Sequence, residues 1–154
     1  MRSLMNTKDD TVLTILRLLL GVVFFAHGAQ KALGMFGGYG WTGTMGYFTS
    51  LGIPSIFGAL AILAEFLGGI SLILGFFGRI GAAGILVNML VAIFMIHMAN
   101  GLFMNWGLAV NGTMAVGEGY EFHLLAIAIA LAIVINGPGA FSIDRAMYVA
   151  SSKS

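Results

Sequence analysis

Residues 11–33 read TVLTILRLLLGVVFFAHGAQKAL, a run in which only Arg17 and Lys31 carry a full charge. A helix needs about 20 mostly apolar residues to cross the ~30 Å hydrocarbon core of a bilayer. The run therefore predicts a membrane-spanning helix. Asp9 and Asp10 precede it and Arg17 interrupts it, which is not the pattern of a cleaved signal peptide.

The composition of the whole chain agrees with a membrane location. The 154 residues are 59% hydrophobic and 8% charged, with a net charge of +1 and no cysteine. An ordinary soluble domain carries about 25% charged residues. These values exclude a soluble enzyme, a disordered chain and a nucleic-acid binder, and the absence of cysteine excludes disulfide, thiolate-metal and thiol-exchange chemistry. We predict an integral membrane protein whose main partner is the lipid bilayer.

Three further apolar windows follow, at residues 54–77, 80–101 and 120–137. Together with the first they predict an all-α, integral membrane four-helix bundle that forms a single domain over residues 1–154. Pro54 opens the second helix, while Gly78 and Gly101 are expected to cap the C-termini of the second and third. The other proline, Pro138, follows the fourth helix, so the helix interiors are predicted to be unbroken.

Basic residues near the helix ends predict the orientation. Lys31 stands alone on one side of the membrane. The other side holds Arg2, Lys8, Arg79, Arg145 and Lys153. By the positive-inside rule both termini are predicted to be cytoplasmic, and the two longer connections face outward.

The outward connections, residues 34–53 and 102–119, combine glycine with aromatic side chains. The aromatic positions are Tyr39, Trp41, Tyr47, Phe48, Phe103 and Trp106. Such residues suit the headgroup layer. Two interpretations remain open: an interfacial belt with a short amphipathic helix at residues 44–51, or a lid over a site that opens to the outer leaflet.

A stripe of small residues indicates close helix packing in the second span. Ala64, Gly68, Ser71 and Gly75 recur at spacings of four, three and four. Small residues let membrane helices approach each other closely. The stripe therefore marks a contact within the chain or a seam between copies in a homo-oligomer.

Polar side chains inside the spans cost at least ~2.5–3.5 kcal/mol each when charged, so each needs a partner or a function. They are Arg17, His27, Gln30, Lys31, Glu65, Asn88, His97, Asn100, Glu121 and His123. With the predicted orientation most of them lie toward the outer side, and all three histidines fall at one level on three different helices.

Helical spacing refines this placement. Residues three or four apart share a helix face. His27 therefore shares a face with Lys31, and His97 shares one with Asn100. Glu121 and His123 are two apart and diverge, so we expect only one to point inward. Arg17 shares the stripe of Lys31 at greater depth. We expect these faces to meet Glu65 in a polar pocket. Our candidate catalytic residues are Glu65 and His97, and our candidate cofactor-binding residues are His27, Lys31, His123, Asn100 and Arg17.

Structural alternatives exist for the same side chains. Glu65 is either a proton carrier or a structural ion-pair partner of Arg17 or Lys31, and Lys31 can instead extend to the headgroups. The histidines can be interface residues. Three imidazoles and a carboxylate could bind a metal, but their spacing matches no metal motif, and we predict no metal.

The order of several short motifs resembles the DoxX family over residues 11–145. These are His27-Gly28-x-x-Lys31-x-x-Gly34, Gly52-Ile53-Pro54, Glu65-x-x-Gly68 through Leu74-Gly75, then Arg79, His97 and the closing Gly137-Pro138-Gly139-Ala140-Phe141-Ser142-Ile143-Asp144-Arg145. The resemblance implies a multi-pass protein of the bacterial or archaeal cytoplasmic (inner) membrane. It also implies links to thiosulfate:quinone oxidoreductase, to quinone and catechol resistance, and to oxidoreductase complexes of the oxidative-stress response.

The leading hypothesis is a small quinone-interacting subunit or accessory of a membrane oxidoreductase, with quinone as cofactor and other oxidoreductase subunits as partners. Whether this chain is itself an enzyme stays open. A His–Glu pair can exchange protons with a ring oxygen near neutral pH, and the cationic Lys31 can stabilise negative charge there. The alternatives are a non-catalytic membrane assembly or scaffold protein and a small-molecule transporter.

Overall fold

The structure is a computed structural model that describes residues 2–105 and 117–152, and every regular element in these two ranges is helical. Trp106 and Lys153, which take part in the predictions above, lie outside them. The α-helices are α1 (Arg2–Met5), α2 (Thr11–Leu33), α3 (Gly40–Ser50), α4 (Ser55–Leu74), α5 (Gly78–Ala92), α6 (Glu121–Asn136) and α7 (Ile143–Ser151).

Within the described residues, three stretches are long and apolar enough to cross a membrane: Thr11–Leu33, Ser55–Leu74 and Gly78–Asn100. Helix α6 is apolar but shorter, with 16 residues. Helix α2 packs against α4 and α6, and α5 packs against the same two helices, so the four form a closed ring. Their shared core consists of Leu20, Phe24, Leu72, Ala82, Ile85, Met89, Ala126, Ala130 and Ile133. The all-helical membrane class is confirmed.

Helix α2 has the bounds predicted for it because both of its ends carry local signals. At its start the Asp10 carboxylate accepts the N–H groups of Val12 and Leu13, at 2.7 and 3.2 Å. At its end Gly34 adopts a left-handed conformation with φ 73°. These are the capping arrangements that a sequence pattern predicts best.

The turn between α4 and α5 differs from the prediction. The helix expected to reach Phe77 ends at Leu74, where Gly75 supplies the left-handed residue with φ 65°. Gly78, predicted as a C-cap, instead begins α5, two residues before the predicted start. The reason is a distant carboxylate: Asp144 accepts the N–H groups of Phe77 and Gly78, both at 2.9 Å, and so caps α5.

The third span is not a continuous α-helix as predicted. After Ala92 it widens into a π-helical turn at Ile93–His97 and then tightens into a 3₁₀ turn at Met98–Asn100. The expected end at Gly101 is confirmed, with φ 80°. A π turn shifts the residues that follow it around the helix axis, and such turns are frequent at functional sites. The fourth helix, α6, lies one residue inside its predicted window at each end.

The remaining sequence features are placed as follows. The short helix predicted at residues 44–51 is present as α3, which begins four residues earlier and contacts α2 and α4. Its role as a belt or a lid stays a prediction. The small-residue stripe of α4 packs inside the chain, because a Cβ added at Gly68 would lie 3.2 Å from the Gly81 carbonyl oxygen of α5.

Both ends of the described chain meet at one end of the ring, which we call the terminal end (residues 6–10, 75–79 and 136–145). The Lys8 N–H donates to the Asn136 carbonyl at 3.1 Å, and the Gly139 N–H donates to the Thr7 hydroxyl at 2.8 Å. The guanidinium of Arg79 reaches carbonyls at the last turn of α6 and the carbonyl of Asn6. The opposite end, where α2 and the third span finish and α6 begins, is the loop end.

Candidate functional site

A buried carboxylate near the middle of α4 joins three helices. Lys31 of α2 forms an ion pair with Glu65 of α4, and the Asn88 amide of α5 donates to the other carboxylate oxygen of Glu65 at 3.0 Å. Glu65 is 5% exposed, whereas 29% of the Lys31 side chain is exposed. We call these three residues the Glu65 cluster. Of the alternatives left open for Lys31, the structure has the ion pair rather than extension to the headgroups.

The close approach of α2 and α4 brings Lys31 and Glu65 together. Gly28 lies directly against the backbone of Phe66, and a Cβ added there would also lie 2.8 Å from the carbonyl carbon of Glu65. A larger residue would therefore hold the helices apart. Lys31 follows Gly28 by three positions and so lies near the same helix crossing, from which its long side chain reaches Glu65 of α4.

A row of four rings crosses the loop end next to this cluster. The ring centroids of His27 and Phe122 are 6.2 Å apart, those of Phe122 and His123 are 5.7 Å apart, and those of His123 and His97 are 4.1 Å apart. We call His27, Phe122, His123 and His97 the ring row. It runs from α2 across α6 to the end of the third span. The three histidines thus lie on three helices, as the sequence predicts.

The hydrogen bonds of the two close histidines differ. His97 Nδ1 lies 2.7 Å from the Glu118 carbonyl oxygen, and the Asn100 amide donates to that same oxygen at 3.1 Å. Because a carbonyl only accepts, Nδ1 of His97 is the protonated nitrogen, and its Nε2 is free to accept when the ring is neutral. His123 is 6% exposed, and its Nδ1 is buried with no hydrogen-bond partner among the described residues.

Glu121 and His123 point apart. His123 is buried, while Glu121 is half-buried and accepts the Met104 N–H at 2.8 Å. Arg17 also lies away from the site. Its guanidinium, 2% exposed, donates to carbonyls at the end of α4 and, at 2.7 Å, to that of Phe141. Arg17 therefore binds backbone at the terminal end rather than joining the Glu65 cluster.

Two residues of the site were not among the sequence candidates for binding or catalysis. Asn88 was named only among the polar side chains of the spans, although an amide in the middle of a span is itself a signal. Phe122 gave no signal of its own beyond its position between Glu121 and His123. Among residues 2–105 and 117–152, no group of three His, Cys, Asp or Glu side chains could hold a metal ion.

The arrangement combines two kinds of chemistry. The Glu65 carboxylate, held by a cation and an amide, is a buried group that can gain or lose a proton if its partners move. The ring row supplies flat ring surface together with an acceptor nitrogen on His97 and, on His123, a nitrogen without a partner in the part of the chain that the structure describes. These features define a multi-pass helical membrane protein with a buried polar site toward one end of its helices.

Comparison with known proteins identifies the group. The DoxX family model matches residues 12–98, and the chain belongs to the DoxX family. It is 30% identical to "Inner membrane protein YqjF" of Escherichia coli (strain K12), over 92% of this chain and 95% of that protein. It is 33% identical to "Putative oxidoreductase CatD" of Bacillus subtilis (strain 168), over 49% of this chain and 52% of that protein. An uncharacterized membrane protein of Mycobacterium tuberculosis is 27% identical over 92% of this chain and 85% of its own length. No solved structure matches the chain.

Proposed function

We propose that this protein crosses a bacterial or archaeal cytoplasmic membrane four times, with both termini in the cytoplasm. Helix α6 has 16 residues, about 24 Å at 1.5 Å per residue, and packs against α2 and α5 like the longer spans. Three basic residues, Lys8, Arg79 and Arg145, lie at the terminal end, which is consistent with the positive-inside rule. The ring row then lies in the outer half of the membrane, while Glu65 and Asn88 lie near the middle of their helices.

Within that topology we propose that the protein binds a quinone or catechol ring at the Glu65 cluster, as a subunit or accessory of a membrane oxidoreductase. The single observation that carries the proposal is the ion pair of Lys31 with the buried Glu65, one helical turn from the first ring of the ring row, His27. A buried charge inside a membrane span is costly and marks a functional site by default. The name of the relative CatD points to oxidoreductase chemistry in the same family.

The residues present fit such a ligand. A ring carbonyl only accepts hydrogen bonds, and the Lys31 ammonium has N–H groups beyond the one that faces Glu65. A ring hydroxyl donates, and Nε2 of His97 accepts. The Nδ1 of His123, which has no partner among residues 2–105 and 117–152, offers a further polar contact. A quinone supplies electron transfer when bound; Lys31 would orient its oxygen, and Glu65 would hold or release the proton at its carboxylate.

Ligand-induced thermal stabilisation tests this function. A short-chain ubiquinone at about one hundred times its dissociation constant should stabilise the purified protein by about 2.7 kcal/mol, which raises Tm by about 5–10 °C. Glu65→Gln should abolish the shift. Asp9→Asn removes a carboxylate at the opposite end of the molecule and should keep it.

The double variant Lys31→Met/Glu65→Leu removes both charges together and covers the case in which Glu65→Gln unfolds. An equal shift in the wild type and in both Glu65 variants, or none in the wild type, would overturn the proposal. The scaffold and transporter hypotheses predict no quinone-dependent shift. Gly68→Leu would not test the scaffold hypothesis selectively, because Gly68 packs against α5 of the same chain.

A further inference from the structure

A groove opens on the outer surface of α6, beside the ring row. Its volume is about 480 Å3, and its walls are Met104, Glu121, Phe122, Leu124 and Leu125. This volume lies in the range of pockets that hold small molecules. Leu125 is 68% exposed and Leu124 is 46% exposed. Because exposed leucines on a membrane helix face lipid, the groove opens toward the acyl chains.

Phe122 links this groove to the ring row, of which it is a member. Phe122 lines the groove, while its ring stacks on Phe24 at a centroid distance of 6.3 Å and contacts His27 at 6.2 Å. His27 precedes Lys31 by one helical turn. The groove, the half-buried ring of Phe122, His27 and Lys31 therefore form a series of neighbours that leads from the outer surface of α6 to the Glu65 cluster.

The structure assigns the groove as a lateral entrance, through which an apolar ring passes from the bilayer to the Glu65 cluster when Phe122 moves aside. This inference rests on the proposed function and names the route of its ligand. The continuity of the groove with the ring row through Phe122 argues for a ligand in transit rather than a permanently bound lipid.

The walls also select the chemical class that can use the entrance. Four of the five lining side chains are apolar, and the fifth is the Glu121 carboxylate. One oxygen of that carboxylate accepts a hydrogen bond from the Met104 N–H. Negative charge at the mouth disfavours anions, and the apolar walls disfavour hydrophilic solutes. An uncharged ring with an apolar body fits, and a ring hydroxyl could donate to Glu121 on the way in.

The absence of cysteine makes a direct test possible. Leu125→Cys places a single thiol in the groove, and Leu131→Cys places one on an exposed leucine of the same helix outside the groove. Each variant is labelled with a bulky, bilayer-soluble maleimide. The association rate of a short-chain ubiquinone is then measured before and after labelling. Labelling Leu125→Cys should slow association at least about tenfold, and labelling Leu131→Cys should not change it.

A second pair of variants tests the gating side chain. Phe122→Ala should speed association because it removes the ring between groove and site, and Phe122→Trp should slow it. Equal rates for labelled and unlabelled Leu125→Cys, with ubiquinone still binding to the wild type, would overturn the entrance and leave the proposed function standing. If unlabelled wild-type protein binds no quinone, the proposed function fails, and the entrance fails with it.

Discussion

Removing the Asp144 carboxylate should destabilise the protein far more than removing a neighbouring carboxylate. Asp144 is fully buried, and its two oxygens each accept one backbone N–H at the start of α5, both at 2.9 Å. The backbone N–H of Asp144 separately donates to the Gly75 carbonyl at 2.9 Å. In Asp144→Ala that backbone bond can stay, so the substitution isolates the contribution of the side chain.

The magnitude follows from the two bonds. A hydrogen bond to a charged group contributes about 1.5–3 kcal/mol, and water cannot replace the carboxylate at a fully buried position, so the loss is about 3–6 kcal/mol. For a chain of this size that corresponds to a fall in Tm of roughly 10–20 °C. Asp144→Asn keeps one accepting oxygen and should lose about half as much.

Thermal unfolding of the purified protein measures this effect, with Asp9→Ala as the matched control. Asp9 lies at the same end of the molecule, but 70% of its side chain is exposed, and it forms an ion pair with Arg145 at 2.6 Å. An exposed pair contributes under about 1 kcal/mol, so the control should melt close to the wild type. If Asp144→Ala also melts within about 2 °C of the wild type, the capping argument is refuted.

Three further substitutions test other parts of the structure by the same measurement. Lys31→Met should lower the free energy of unfolding by about 3–5 kcal/mol, because it leaves the Glu65 carboxylate without its cation. Adding Glu65→Leu should restore most of that loss. A double variant no more stable than Lys31→Met would contradict this. Gly28→Ala should lower the free energy of unfolding by about 1–3 kcal/mol, because the added methyl group meets the backbone of α4. The control Gly46→Ala has open space around it and should be neutral or stabilising. Equal effects of the two substitutions would refute the close crossing of α2 and α4. His123→Phe keeps a ring but removes a buried nitrogen that has no partner in the described ranges 2–105 and 117–152. It should raise the free energy of unfolding by about 1 kcal/mol while weakening quinone binding, and a loss of stability would contradict this.

The sequence predicts those parts of the fold whose signals are local. Helix α2 is correct at both ends because Asp10 and Gly34 adjoin the residues that they cap. The placement of the three histidines at one end of the helices follows from counting residues along the predicted helices. The family resemblance rests on short motifs in order, and the family comparison agrees with it.

Other features depend on contacts that no local pattern contains. Two glycines three residues apart, Gly75 and Gly78, are equally suitable as the end of α4, and Asp144 decides between them from 66 residues away. The π turn at Ile93–His97 contains neither proline nor glycine. Among the candidate cations, Lys31 rather than Arg17 pairs with Glu65, because the depth of Arg17 matches the last carbonyls of α4.

The cap on α5 also has a consequence for how the protein is made. The ribosome synthesises α4, the turn and α5 well before Ser142 and Asp144, so these two helices enter the bilayer while the first N–H groups of α5 lack their acceptor. The hairpin becomes locked only when the segment after α6 emerges and folds back onto it. Insertion and locking are thus separate events in time. A nascent chain arrested before residue 142 should hold α4 and α5 in the membrane in a form that proteases and chaperones can still recognise as incomplete.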